Sequence, residues 1–555
     1  MQLSTLAKRG SLVLFLALIA FYLYGLGHLP LIGPDEPRYA QIAREMFLRG
    51  DLVTPTLGGH LWFEKPALLY WMMIASYKLF GVSEWSARLP GAVSGLLTVA
   101  AVYCIGQAAT RKQISDRLDA TPDLNGLGFW SAIAAGTTLG IVVFSRAASF
   151  DIVVTMTLTW ALAFFIMGEL QPDDRKRGRY LAGFYVFMGL SLLAKGLIGI
   201  VIPLGVVGAY YLFSRRFPER KTVLSLLWGI PVTLAVAAVW YGPVILKNGW
   251  PFVDQFFVQH QFARYVSNKY RHPAPPYFYL VILLPLALPW TAFFVSAIVK
   301  GRSWRWRAAD RPAGDGLLVF GFAWFLVPVV FFSFANSKLP GYILPALPAM
   351  ALIAGHELTR FNCDWQTGRW AMRVTAALSI VLAAGAPIYI WRSGLTSLTP
   401  ALMIAMVLGP AGIFALLMVR HRAGSVVLIA AATIATLVIA LHWFAPQPVD
   451  QQNSKRLLQL ADARGYAQTQ IYGLRRDDRS PEFYAAGRIS YGPDNEPVMY
   501  ESAQPVITES LRRKEALLVF VTLKDLEALV RVPSAHFDVI GNNGKVAIVA
   551  VRAKE

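Results

Sequence analysis

Charge is scarce in this chain. Of 555 residues only 15% are Asp, Glu, Lys or Arg, whereas 55% are hydrophobic and 13% aromatic. Soluble domains carry about 25% charged residues, so composition excludes an ordinary soluble protein and points to an integral membrane one. Acidic residues are the rarer sign, 33 against 52 basic, for a net charge of +19. Cysteine is nearly absent. Of the two, Cys104 falls in a predicted span and Cys363 in a predicted inner loop, which excludes a disulfide framework. Also missing are a P-loop, a soluble sugar-nucleotide domain, internal repeats and low-complexity tracts, so neither a nucleotide cofactor nor a repeat architecture is expected.

What is abundant is long apolar runs. Stretches of roughly 17 to 25 residues qualify as spans, and thirteen are read, at about 11–31, 86–109, 129–148, 152–169, 180–194, 197–213, 223–245, 277–299, 316–334, 341–357, 371–390, 401–419 and 425–444. Lysine and arginine concentrate in short cytoplasmic loops. With a cytoplasmic N-terminus, the inner loops carry "RKQISDR", "DDRKRGR", "RRFPERK", "KGRSWRWRAADR" and "RHR". That bias accounts for much of the positive charge, so nucleic-acid binding is not inferred. The first run is longer than a signal-peptide core and lacks a small-residue cleavage site, so it is read as a span. An odd number of spans puts the tail outside, which in a bacterium is the periplasm.

The expected architecture is thus an all-α polytopic membrane domain (residues 1–445) followed by a small α/β periplasmic domain (446–555). The tail alternates β-like runs at 469–474, 516–523, 537–540 and 545–551 with helical stretches near 451–464 and 524–531. No catalytic motif stands out in it.

Charged groups are costly in hydrocarbon, so their places are informative. The predicted spans are clean through their middles, and the unusual polar residues gather at the outer ends: Asp35, Glu36 and Arg38; Glu64 and Lys65; Arg146 and Asp151; Lys195; Lys338. A transporter more often keeps its binding groups at mid-membrane, with internal symmetry. This placement suits an enzyme whose substrates present headgroups at the outer face. From Arg38 to Gly50, Tyr39, Ile42, Ala43, Met46 and Phe47 recur at helical spacing opposite Arg38, Gln41, Arg44, Glu45 and Arg49, the pattern of a helix lying in the interface. Two more aromatic outer stretches, 59–81 and 249–279, complete a roof over a cavity.

Each candidate has an architectural alternative. Asp35 and Asp151 precede helical runs and would serve equally as N-caps or as carboxylates that orient a nucleophile or take its proton. Lys65 and Arg264 suit a phosphate, or else snorkel toward headgroups. Lys338 and Arg38 are further cations for a donor phosphate. His260 with Glu64 would suit a divalent ion such as zinc or magnesium, although a hydrogen-bonded interfacial histidine is the simpler reading.

The motifs "GPDEPRYAQIAREMFLRGDLVTPTLGGHLWFEKPALLYW", "ARLPGAVSGLLTV", "AKG" and "SKLPGYILPALPAMALI" resemble the C-type glycosyltransferases related to protein O-mannosyltransferases, over roughly residues 10–360. Within these they are most similar to the bacterial branch that attaches an aminoarabinose to lipid A. The resemblance implies a helical membrane domain with interfacial helices and a variable outer tail. It matches the first-loop acid to Asp35, with Glu36 beside it, and the second outer acid to Asp151. It matches the lipid-phosphate ligands to Lys65, Arg264 and Tyr342, and it implies a metal near Glu64 and His260. One departure is Ala67 of "EKPALLYW", where many relatives repeat the proline. The implied reaction moves 4-amino-4-deoxy-L-arabinose from undecaprenyl phosphate to a phosphate of lipid A, among membrane lipids and by inverting displacement. Transfer to proteins or another envelope glycan stays open, as does transport of a lipid-linked sugar.

Overall fold

The computed structural model describes residues 2–116, 126–263, 274–304, 306, 313–474, 480–485, 487–492 and 496–554. All thirteen apolar runs are helical over most of their length. Among the described residues, seven helices are long and apolar enough to cross a bilayer unaided. A bent pair, Leu127–Thr137 and Leu139–Ser145, meeting at 59°, makes an eighth. The other runs form shorter or interrupted helices, such as Leu12–Leu23 and Ile198–Ser214.

The helix Phe150–Glu169 is the centre of the bundle. Of its apolar window 83% is buried, against 28% in Leu226–Gln259 and in the three spans from Trp365 to Phe444, which therefore face lipid. A helix apolar on every side belongs inside, and this one carries Asp151 in its first turn. Where the 127–145 pair bends, a freed backbone group finds a partner, Leu139 N–H donating to the Leu288 carbonyl at 2.8 Å, and the Thr137 side chain accepts from Trp290 Nε1 at 2.8 Å. Broken helices are tolerated in a membrane on that condition. Cys104 and Cys363 are both free thiols.

Helices that begin near one face end in basic loops at the other. There Arg177 joins Glu169 and Glu219, and Arg216 joins Glu169 and the Tyr210 hydroxyl. The opposite face is built from the outer stretches. The helix Asp35–Arg49 stops at Gly50, whose left-handed backbone closes the end with N–H bonds to Met46 and Phe47 carbonyls. Its apolar side, Tyr39, Ala40, Ile42, Ala43 and Met46, is buried on the bundle as the periodicity predicts. Next comes a hairpin, β1 (Thr56–Leu57) and β2 (His60–Leu61), then the helix Leu68–Phe80. Glu45 organises the hairpin by accepting from Thr56 Oγ1 at 2.6 Å and Gly58 N at 2.8 Å.

The tail forms five strands: β3 (Ile471–Leu474), β4 (Met499–Tyr500), β5 (Leu517–Thr522), β6 (Ala535–Asn542) and β7 (Val546–Ala553). The order is β4-β3-β5-β7-β6, with β3 parallel to β4 and β5 and the remaining pairs antiparallel. Four strands fall where expected; β4 and the helix Ala503–Arg513 were not anticipated. This unit does not stand apart. It lies on the polar side of the first-loop helix, with Arg44 donating to the Phe483 carbonyl and Asn453 to the Leu31 carbonyl. The face expected to meet water meets protein.

Small residues set a close helix crossing. A Cβ added at Gly106 would lie 2.6 Å from the Gly128 Cα, so the two backbones touch there. Gly106→Leu is expected to destabilise the protein by about 1–3 kcal/mol, seen as a lower melting temperature in detergent. Gly208→Leu, with nothing within 4 Å of the added carbon, should leave it unchanged.

Candidate active site

The first acidic pair divides at once. Pro34 takes the capping position of the helix Asp35–Arg49 and offers no side-chain bond, so Asp35 stands inside the first turn rather than at the cap. Its carboxylate is 59% exposed, with Arg38 Nη1 3.9 Å away, and the helix dipole favours a negative charge there. Glu36 turns inward and is 7% exposed. It accepts from Arg88 Nε at 3.1 Å, Arg88 Nη2 at 2.7 Å, Ile32 N at 2.7 Å and Ala148 N at 2.6 Å. Both oxygens are occupied, so the geometry makes Glu36 a strut, not the partner in catalysis that its place beside Asp35 implies.

Arg38 lies over the Trp62 ring, 5.2 Å from its centroid, and 3.9 Å from Glu482. Burial alone would lower its guanidinium, but Glu482, Glu64, Tyr39 and Asp35 hold it above its ordinary value. Burial pushes the Tyr39 hydroxyl well above the usual tyrosine range, and Asp35, Tyr70 and Glu64 push it further. Asp35, Arg38 and Glu64 therefore share one electrostatic neighbourhood. Lys65 follows Glu64 and is half-buried.

An aromatic junction joins this neighbourhood to the second acid. The Tyr39 and Tyr70 rings both stand edge-on to Phe150, at 4.9 Å and 5.3 Å. The next residue is Asp151. It is no cap either: Ser149 is, accepting from Asp151 N at 3.1 Å. The Asp151 side chain pairs with Lys195, whose ammonium also lies 4.5 Å from the Tyr342 ring centroid. A Cβ at Gly341 would fall 2.0 Å from Asp151 Oδ2, so "PGY" needs its glycine to pass this close. Lys338, expected on a phosphate, is buried and donates to the Ala335 carbonyl at 2.7 Å, closing its own turn. Arg146, another outer cation, caps the first helix through the Phe21 and Tyr24 carbonyls.

The site thus brings together Asp35, Arg38, Glu64, Asp151, Lys195 and Tyr342. Arg264 lies outside the described residues, as does the His260 side chain. Two contributors escaped sequence reasoning. Arg88 reads like any interfacial arginine. Glu482, with a fully buried side chain, comes from a tail without motifs; "PEFY" offered no signal beyond an aromatic pair.

Comparison with known proteins identifies relatives of the whole chain. The family described as dolichyl-phosphate-mannose-protein mannosyltransferase matches residues 64–241. The chain is 31% identical over 373 residues to undecaprenyl phosphate-alpha-4-amino-4-deoxy-L-arabinose arabinosyl transferase 1 of Pseudomonas fluorescens (strain Pf0-1), covering 67% of this chain and 61% of that one. It spans less than two thirds of that relative's length. The enzyme of the same name from Aeromonas salmonicida (strain A449) is 28% identical, with 91% of this chain and 93% of the relative covered. In structure, the chain is similar to ArnT from Cupriavidus metallidurans bound to undecaprenyl phosphate, with a TM-score of 0.78, 25% identity and 98% of both chains covered. Sequence and fold return one answer: this multi-pass membrane protein belongs to the C-type glycosyltransferases related to the dolichyl-phosphate-mannose-protein mannosyltransferases.

Proposed function

We propose that this protein transfers 4-amino-4-deoxy-L-arabinose from undecaprenyl phosphate to a phosphate group of lipid A, at the periplasmic face of the bacterial inner membrane. One observation carries the reading. Acids and cations from four separate segments meet around Tyr39, Tyr70 and Phe150, on a fold that matches a protein crystallised with undecaprenyl phosphate. The basic loops at the opposite face support the periplasmic orientation.

The donor's anomeric carbon is already activated by its phosphate. An oxygen of the acceptor phosphate attacks it from the far side, a new C–O bond forms, and the bond to the carrier phosphate breaks with inversion. The electron pair leaves on undecaprenyl phosphate, so the transition state gains negative charge there. Preorganised cations and donors are what such a charge requires, and Lys65, Arg264 and the Lys195–Tyr342 pair are proposed for it. Arg38 is already balanced by Glu482, Glu64 and Asp35, so its proposed part is to hold these acids rather than to bind the donor. An acceptor phosphate is ionised at neutral pH and needs little deprotonation. Asp35, exposed toward solvent, therefore orients the reactants and balances the amino group of the sugar.

A divalent ion, zinc or magnesium, on Glu64 and His260 belongs to the proposal only as a brace for the outer segments. Among the described residues no three His, Cys, Asp or Glu side chains converge on one point, and Glu64 lies in the field of Arg38.

Expressing the chain in a bacterium lacking its own transferase tests the substrate pair: mass spectrometry should find lipid A carrying an added pentosamine. A glycosylated protein or glycan without that change would transfer the assignment to another acceptor. Asp35→Asn keeps shape and membrane insertion and should reduce turnover about 100-fold or more; a fully active variant would end its assignment. Removing one charged hydrogen-bond donor costs about 1.5–3 kcal/mol, so Lys65→Ala should raise the donor KM about tenfold or more. An unchanged donor KM would remove Lys65 from the phosphate site.

A further inference from the structure

Arg88 has five N–H donors, and all five are used. Nε and Nη2 reach the two oxygens of Glu36 at 3.1 and 2.7 Å. Nη1 donates to the Leu26 and Leu29 carbonyls at 2.8 and 2.7 Å, and Nη2 also to the Pro30 carbonyl at 2.7 Å. The planar fork of arginine is the one side chain able to fill such a set. The remaining capacity of Glu36 goes to two backbone amides from different parts of the chain, Ile32 N at 2.7 Å and Ala148 N at 2.6 Å.

Those two amides give the arrangement its meaning. Ile32 and Glu36 belong to the turn that starts the first-loop helix, and Asp35 is the neighbour of Glu36. Ala148 precedes Asp151 by three residues, in the short turn that leads into Ser149, the cap of the helix Phe150–Glu169. One carboxylate therefore ties the segment bearing Asp35 to the segment bearing Asp151, 116 positions apart (151 − 35). Arg88 anchors that carboxylate, through three carbonyls, to the segment that links the first helix to the first-loop helix.

We propose that Glu36 and Arg88 form a positioning joint that sets Asp35 and Asp151 relative to one another for sugar transfer. This rests on the reading given under "Proposed function" and adds two residues to it. Neither touches substrate: Glu36 is 7% exposed and Arg88 3%. A tie of this kind acts on turnover more than on donor affinity, because donor phosphate ligands lie elsewhere and misplacement of reacting groups by about 1 Å costs about 100-fold in rate.

The test uses the full-length protein in lipid nanodiscs with the undecaprenyl-linked aminoarabinose and lipid A. Glu36→Asp keeps the charge but is one methylene too short to reach Arg88 and both amides together. Its kcat, counted per donor-binding site, should fall by about 10- to 100-fold, with the donor KM little changed. Arg88→Ala should lose turnover and regain part of it with added methylguanidinium, and Arg88→Lys serves if the alanine variant does not fold. Unchanged turnover per donor-binding site, with only a lower melting temperature, would overturn the proposal and leave a purely structural salt bridge. Hydrogen exchange reads the joint without catalysis: the amides of Ile32 and Ala148 should both exchange faster in Glu36→Asp. If either keeps its wild-type rate, the joint is refuted. A wild type with coupled exchange but no sugar transfer would overturn the functional reading instead.

Discussion

A guanidinium buried at the edge of a membrane is stable only if its charge and every donor are matched. Arg88 meets that condition through Glu36 and three carbonyls of the linking segment, those of Leu26, Leu29 and Pro30. Removing one partner of such a pair leaves an uncompensated charge and costs about 3–5 kcal/mol. The outer half of the molecule is arranged around this requirement. The segment after the first helix turns its carbonyls to Arg88, the first-loop helix begins where Glu36 can reach Arg88, and the turn before Asp151 approaches to give Glu36 its last donor.

From that fixed point the site spreads through rings rather than further charges. Tyr39, Tyr70 and Phe150 meet edge to face, an arrangement that adds stability and tolerates little sliding. One side of the cluster presents Asp35, Arg38 and Glu64; the other presents Asp151, Lys195 and Tyr342. The C-terminal unit closes the far side of the first-loop helix. Glu482 faces Arg38, the Tyr484 hydroxyl accepts from Leu31 N and donates to Glu84, and Tyr491 lies against His60 of the hairpin. The tail is thus a wall of the site and not an appended module.

Much of this was legible beforehand, for reasons that can be named. Charge avoidance places acids and cations at span ends, so Asp35, Glu64, Asp151 and Lys195 could be singled out without coordinates. The 3.6-residue period marked the buried side of the first-loop helix, and short β-like runs marked four of the tail strands. Capping was a fair alternative for both aspartates, but Pro34 and Ser149 occupy those positions. Adjacent acids looked equivalent. Successive helical residues point about 100° apart, which sends Asp35 outward and Glu36 into the bundle. Arg88 and Glu482 were illegible because each acquires its role from a partner dozens to hundreds of positions away.

Membrane class, helical architecture, the α/β tail and the gathering of acids and cations at helix ends were determined by the sequence itself. They follow from local energetics: apolar length, periodicity and the cost of charge in hydrocarbon act on each stretch independently of the others. Which carboxylate faces the solvent, which one braces the frame, and that Lys195 pairs with Asp151 while the tail covers Arg38, were decided only by tertiary structure. Those outcomes depend on distances between segments remote in the chain, and a linear pattern carries no information about them until the helices pack.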